Sequence, residues 1–219
     1  MGLDWVLNRK FIDEHLDEGV ALEEEYYQAT SDRKKELRKL MDAISISPYE
    51  VIGCPRVGRD AAATEWLRAD HAANPGGLSW EEALKECDGI YIGELAATQD
   101  GFGEVIGIAT TDVGFRGNVL RHCSSTVGGD LIGEAYKDMT ADKMLEYADK
   151  LEAAAKKSAE LFSPEIKGIA EALMTGNKEY LPKTYNFPEY PLRNYLTIYQ
   201  ACKWLRFWAN KGFSMWAWY

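Results

Sequence analysis

The sequence predicts an α+β fold. A small, mainly antiparallel sheet is drawn from the N-terminal two-thirds, with helices packed on it. The C-terminal third is mostly helical and ends in an aromatic segment. Three observations carry this expectation. Residues 90–123 are rich in Gly, Val, Ile and Thr, the composition of short strands and turns. Residues 140–210 repeat apolar side chains at helical spacing. Regular alternation of strand and helix is missing, which disfavours a doubly wound parallel sheet.

Taken in order, residues 3–7 read as a short strand or arm. An acidic stretch follows, with Asp13, Glu14, Asp17, Glu18, Glu23, Glu24 and Glu25. Its spacing fits no calcium loop, so a solvated helix face is the expectation. Ser31 is expected to cap the next helix. Leu37, Leu40, Met41 and Ile44 share one face of that helix, and Arg33, Lys34, Lys35, Arg38 and Lys39 cover the rest. This basic cluster can meet the acidic stretch or an anionic partner. Residues 49–53 read as a second short strand. Asp60 is expected to cap a helix carrying Trp66 and Leu67. Ser79, with Glu82 three residues on, forms a capping box.

Strands are expected at residues 90–92, 105–109 and 118–120. Gly101-Phe102-Gly103 is too short for a phosphate loop and precedes a strand, not a helix. Thr140 caps a long helix, and Pro164 opens another at the first helical position. Residues 181–191 form a connector. Residues 192–210 form a broad-faced helix stopped by Gly212, and residues 213–219 a closing strand. The whole is read as one domain, with a possible subdivision near residues 137–140.

Composition bounds function. The chain has 219 residues and a formal net charge of -10, which opposes general binding to nucleic acid or anionic membrane. No apolar run reaches the ~18 residues a membrane span needs. The start has no signal-peptide pattern, and Val6 stands where a myristoylation motif wants Ser or Thr. The four cysteines are scattered with no Cys-x-x-Cys, so neither a zinc site nor any other metal site is expected. Reduced thiols and a cytoplasmic location follow as expectations. No cofactor is implied.

No motif names a reaction. The best chemical cluster is residues 114–123. Arg116 lies between two glycines and can grip a carboxylate or phosphate. Arg56 and Arg59, on a Pro/Gly loop, are further anion-binding candidates. His122 and Cys123 are the candidate acid–base and nucleophile. On a strand they would point to opposite faces, so a dyad would need His71 or His15 instead. Asp4, Glu94 and Asp112 are carboxylates near expected strand ends. The bland alternative for residues 114–123 is a hairpin turn with an exposed Arg, a half-buried His and a core Cys, and for Arg56 and Arg59 it is a surface loop.

The last sixteen residues hold four of the seven tryptophans. Trp204, Arg206, Trp208, Trp216, Trp218 and Tyr219 have the composition of a binding hot spot. Two readings result. The first is a non-enzymatic interaction or assembly module, binding a protein partner or itself through the aromatic tail. The second is an enzyme or binder of a small anionic ligand, with a basic pocket around Arg116.

Overall fold

The computed structural model describes residues 3–74, 76–96, 110–111, 113–175 and 190–219. The architecture is α+β. The chain forms two compact units: residues 1–10 with 101–219, and residues 11–100. Residues 137–140 lie inside the first unit. The expected strand at residues 105–109 and the glycine pattern at 101–103 lie outside the described residues, as do Asp112 and most of the 181–191 connector.

In chain order the elements begin with β1 (Asp4–Leu7), β2 (Lys10–Phe11), α1 (Leu16–Gln28), α2 (Ser31–Ala43) and β3 (Ser45–Ile46). Then come α3 (Pro48–Val51), α4 (Ala61–Ala73), α5 (Trp80–Glu86), β4 (Thr110–Thr111) and β5 (Gly114–Phe115). A 3-10 helix (Gly117–Cys123) leads into α6 (Ser124–Val127), α7 (Gly129–Glu134), α8 (Ala141–Ala159), α9 (Pro164–Thr175), α10 (Tyr190–Asn210) and β6 (Met215–Trp218).

The first unit is built on a four-stranded antiparallel sheet in the order β4-β5-β1-β6. The two ends of the sequence are therefore neighbours, with Trp5 opposite Ala217 and Val6 opposite Trp216. Trp5 is fully buried and organises this unit. Its ring stacks on Phe115 at 5.0 Å and meets Tyr147 at 6.1 Å and Trp204 at 6.0 Å. Its indole N–H donates to the Ala135 carbonyl at 2.9 Å, so the buried polar atom is satisfied.

On α8 the buried residues Met144, Tyr147, Ala148, Leu151 and Ala155 recur at helical spacing. They face α10, which is apolar around most of its circumference and accordingly lies in the interior. Gly212, at φ +77, ends α10 in a left-handed turn that a side chain would strain. Its N–H donates to the Ala209 carbonyl at 2.8 Å, and the Phe213 N–H to that of Trp208 at 3.0 Å. Phe213 then folds edge-on against Trp208, and β6 begins.

In the second unit, Phe11, Leu37 and Met41 form a core beneath the α1–α2 hairpin. Phe11 lies so close to Gly19 that an added Cβ would be 2.3 Å from the ring, so α1 requires glycine there. A second core joins Val57, Ala63, Leu67 and Ile92, with Trp66 and Trp80 packed on it. The capping box is present, with Ser79 and Glu82 exchanging hydrogen bonds at 3.3 and 2.9 Å.

Several local expectations are corrected. Residues 48–51 form α3, not a strand, because Pro48 presets the first helical φ. Residues 118–120 belong to the 3-10 helix. Gly117, Leu120 and Cys123, three apart, are all buried there, which is the period of that helix. Around residue 91 only a single bridge, Tyr91 to Arg56, replaces the expected strand. Thr30 rather than Ser31 precedes α2, and neither Thr30 nor Asp60 makes a side-chain cap bond. Asp60 instead accepts from the Arg56 N–H at 2.6 Å, closing its own loop.

Two stability outcomes are expected. Trp5→Ala removes a fully packed indole and should cost ~3–5 kcal/mol, whereas Trp216→Ala on the outer face should cost under ~0.5 kcal/mol. Urea unfolding of both variants checks the contrast. Ser79→Ala should cost about 1 kcal/mol by loss of the cap, read as a lower midpoint for the second unit.

Candidate functional site

The aromatic tail divides into two environments. Trp204 and Trp208 are fully buried in the core of the first unit. The Trp204 indole nitrogen and, one turn earlier, the Gln200 side-chain oxygen are buried with no hydrogen-bond partner among the described residues. Arg206 bonds Asp149 at 2.7 Å and also pairs with Glu152. Those three candidates are thus engaged by their own chain.

Trp216, Trp218 and Tyr219 are 52%, 65% and 67% exposed. The strand period explains the division. Met215 and Ala217 turn inward, so Trp216 and Trp218 must turn outward. Directly across the β1–β6 ladder from them stand Val6 and Asp4. Asp4 in turn is 3.6 Å from the Arg116 guanidinium. Tyr219 is ordered by an edge-on contact with Tyr136, 5.6 Å between ring centres. The result is an aromatic outer face with an acid and a base at one end.

This face is held firmly while the strand's free edge is closed. Met139 exchanges two backbone hydrogen bonds with Met215, at 3.0 and 2.9 Å, and the Asp138 carboxylate accepts from the Ala217 N–H at 3.0 Å. An incoming strand would find these groups already paired, so β6 does not offer β-augmentation. What it offers is side chains.

The remaining candidates are distributed differently. Arg116 belongs to the first unit, Arg56 and Arg59 to the second. Arg56 is committed locally. It bonds Glu50 and the Tyr91 hydroxyl, and its guanidinium lies 4.2 Å from the Tyr91 ring centre. Tyr49 stacks on the same ring at 5.2 Å, which makes the cluster a strut for the loop. Arg59 is exposed.

Cys123 is 1% exposed, with its sulfur 3.8 Å from the Asn194 carbonyl, and burial pushes its thiol up to about 12. A nucleophilic thiol needs the opposite shift. His122 is exposed at the end of the same 3-10 helix. His15 and His71, the other partners considered for Cys123, belong to the second unit. His15 bonds Glu18 at 2.9 Å, and His71 lies 3.0 Å from the Leu78 carbonyl. Glu94 is exposed on a single 3-10 turn. Among the described residues no group of three His, Cys, Asp or Glu side chains is arranged to hold a metal ion. No helix among them is long and apolar enough to cross a membrane.

A cavity of about 520 Å³ opens where α8, α9 and α10 meet. It is lined by Phe162, Ala159, Ala170 and Tyr195 together with the charged Lys156, Glu160, Lys167 and Glu171. Lys156 pairs with Glu152 at 2.5 Å, and Lys167 bonds the Glu160 backbone carbonyl at 3.4 Å; the two lysines and two glutamates of the lining balance in formal charge.

Sequence reasoning missed Val6, Asp4 and Tyr136 as members of the aromatic face. Val6 and Asp4 carry a local signal, because they alternate with the buried Trp5. Their pairing with β6 is set by register, which no local pattern displays. No protein-family model matches the chain, and neither a curated protein nor a solved structure is significantly similar to it.

The thiols supply a test. Burial raises Cys123 and Cys202 from 9.0 to about 12. A group raised on folding stabilises fully below its unfolded value and loses that contribution as pH climbs through the folded one. Thermal stability should therefore fall between pH 9 and pH 12, and the Cys123→Ala, Cys202→Ala double variant should flatten that fall. Of the four free thiols, three are buried, so a thiol reagent should titrate only Cys87 in the native protein.

Proposed function

We propose that this chain is a protein-interaction module that docks a partner on the outer face of its β4-β5-β1-β6 sheet. The supporting observation is that Trp216 and Trp218, more than half exposed, project from a strand whose backbone is fixed on both edges. Burying an indole is worth several kcal/mol at ~25 cal/mol per Å². Side chains already ordered lose little entropy on binding, which raises the affinity that a given area yields.

The size of the face narrows the partner. Two half-exposed indoles with Val6 and Tyr219 offer roughly 400 Å², about half of what one side of a standard interface buries. A short peptide or a single protruding loop fits that footprint. Its complement is apolar or aromatic in the middle, with a charged group reaching the Asp4–Arg116 end. Because β6's outer edge is closed, binding proceeds through side chains rather than strand addition.

Peptides selected by display against the whole protein, then measured by calorimetry, test this reading. Ligands should lose at least ~30-fold in affinity for the Trp216→Ala, Trp218→Ala double variant, as expected for hot-spot truncation. The melting temperature of that variant should be unchanged. Selected ligands that bind the double variant as tightly as the parent would overturn the proposal.

A further inference from the structure

The cavity where α8, α9 and α10 meet plays no part in the aromatic face. Two of its walls carry the same three residue types at the same spacing. Lys156, Ala159 and Glu160 come from the last turn of α8, and Lys167, Ala170 and Glu171 come from α9. Residues three and four apart share one face of a helix. Each set contributes an alanine, which puts only a methyl group beside Phe162 and Tyr195. Those two rings meet edge-on at 5.7 Å. At about 520 Å³ the cavity falls within the size range of small-molecule sites.

The four charges of the lining are not equally committed. Lys156 is held by Glu152 at 2.5 Å, and Glu171 has a partner of its own. Lys167 makes one long bond, 3.4 Å to the Glu160 backbone carbonyl, so most of its donor capacity is unspent. Neither Lys167 nor the Glu160 carboxylate forms an ion pair among the described residues. One uncommitted cation and one uncommitted anion therefore line the same cavity. They are near one another, because the Lys167 ammonium reaches the backbone of the residue that bears the carboxylate. The Tyr195 hydroxyl, whose pKa burial raises, stays protonated at neutral pH and is a further donor.

A purely anionic ligand would meet the Glu160 carboxylate, and a purely cationic one the Lys167 ammonium. A ligand with both charges on neighbouring atoms satisfies both groups. In an α-amino acid only three bonds separate the nitrogen from a carboxylate oxygen, a span under ~4 Å. We propose that this cavity binds a free α-amino acid with an aromatic or bulky apolar side chain. Its carboxylate accepts from Lys167, its ammonium donates to Glu160, and its side chain lies among Phe162, Tyr195 and the two alanines. The balanced formal charge of the lining suits such a net-neutral molecule. The charged residues of the site are exposed, so binding is modest, with a dissociation constant of about 0.5 mM.

A titration of the full chain with phenylalanine, followed by amide chemical shifts in nuclear magnetic resonance, tests this. Shifts should concentrate in residues 156–171 and around Tyr195. Phenylacetate, phenethylamine and glycine, which lack the ammonium, the carboxylate and the ring respectively, should each bind at least ~fivefold more weakly. Lys167→Met should abolish the preference over phenethylamine and leave that over phenylacetate. Glu160→Gln should do the reverse. Both side chains are exposed, so neither change disturbs the core. The Trp216→Ala, Trp218→Ala variant should bind phenylalanine as the parent does. Absence of binding up to ~10 mM overturns the proposal. So do the three partial ligands binding within ~twofold of phenylalanine, or a selectivity that neither charge variant changes. Loss of phenylalanine binding in the double tryptophan variant also overturns it, by placing the ligand on the sheet instead. Peptide docking on the sheet is unaffected by any of these results, so the two proposals fail independently.

Discussion

The first unit depends on burying one indole. Trp5 touches Phe115, Tyr147 and Trp204, and its N–H is spent on Ala135. Those partners come from β5, α8, α10 and the turn after α7, so a single side chain ties the sheet to its helices. Gly117 reflects the same constraint, since an added Cβ would lie 3.0 Å from both Leu3 and the Trp5 nitrogen. The cost of this arrangement is kinetic. Contacts between residue 5 and residue 204 are about as non-local as the chain permits, and such contacts slow folding.

Burial of Trp5 also decides the fate of the tail. With Trp5 inward on β1, the paired residue on β6, Ala217, is inward as well. Ala217 is accordingly buried on the Trp5 side of the sheet. The tryptophans at 216 and 218 are then outward by the strand period alone. Their exposure is a consequence of register, and shifting β6 by one residue would bury both and expel Met215 and Ala217. The Met139 bridge and the Asp138 carboxylate hold that register from the other side.

How much of this was readable in the sequence depends on the range of the physics involved. The capping box at Ser79 and Glu82, the helix over α8, Pro164 at a helix start and Gly212 at a helix end are all decided within a few residues, and all were predicted. The failures at α3 and at residues 117–123 were also local. There, β-branched residues suggested strand, while Pro48 and a period of three set helix instead. The candidate site was half readable. The sequence showed a concentration of hot-spot residues, and its helical periodicity put Trp204 and Trp208 beside the apolar face of α10. It showed neither that Val6 and Asp4 stand opposite Trp216 and Trp218 nor that Arg56 is already bonded to Glu50 and Tyr91. The β1–β6 pairing and the Arg56–Tyr91 bond rest on contacts across 35 residues or more, where sequence spacing carries no signal, while the Arg56–Glu50 pair, six residues apart, depends on how the loop after α3 folds back.

The proposed aromatic face has a consequence for how it would be used. It is about half the size of one side of a standard interface, so a single docking event on it would be weak. Its affinity would then rest on how little is lost in ordering the strand that presents it, whose backbone is already hydrogen-bonded on both edges. Such a face is released by dilution or by loss of one contact, and truncating either indole removes much of what it has to offer. A formal net charge of -10 acts at long range in the same sense, favouring a docking segment that is neutral or basic over an acidic one.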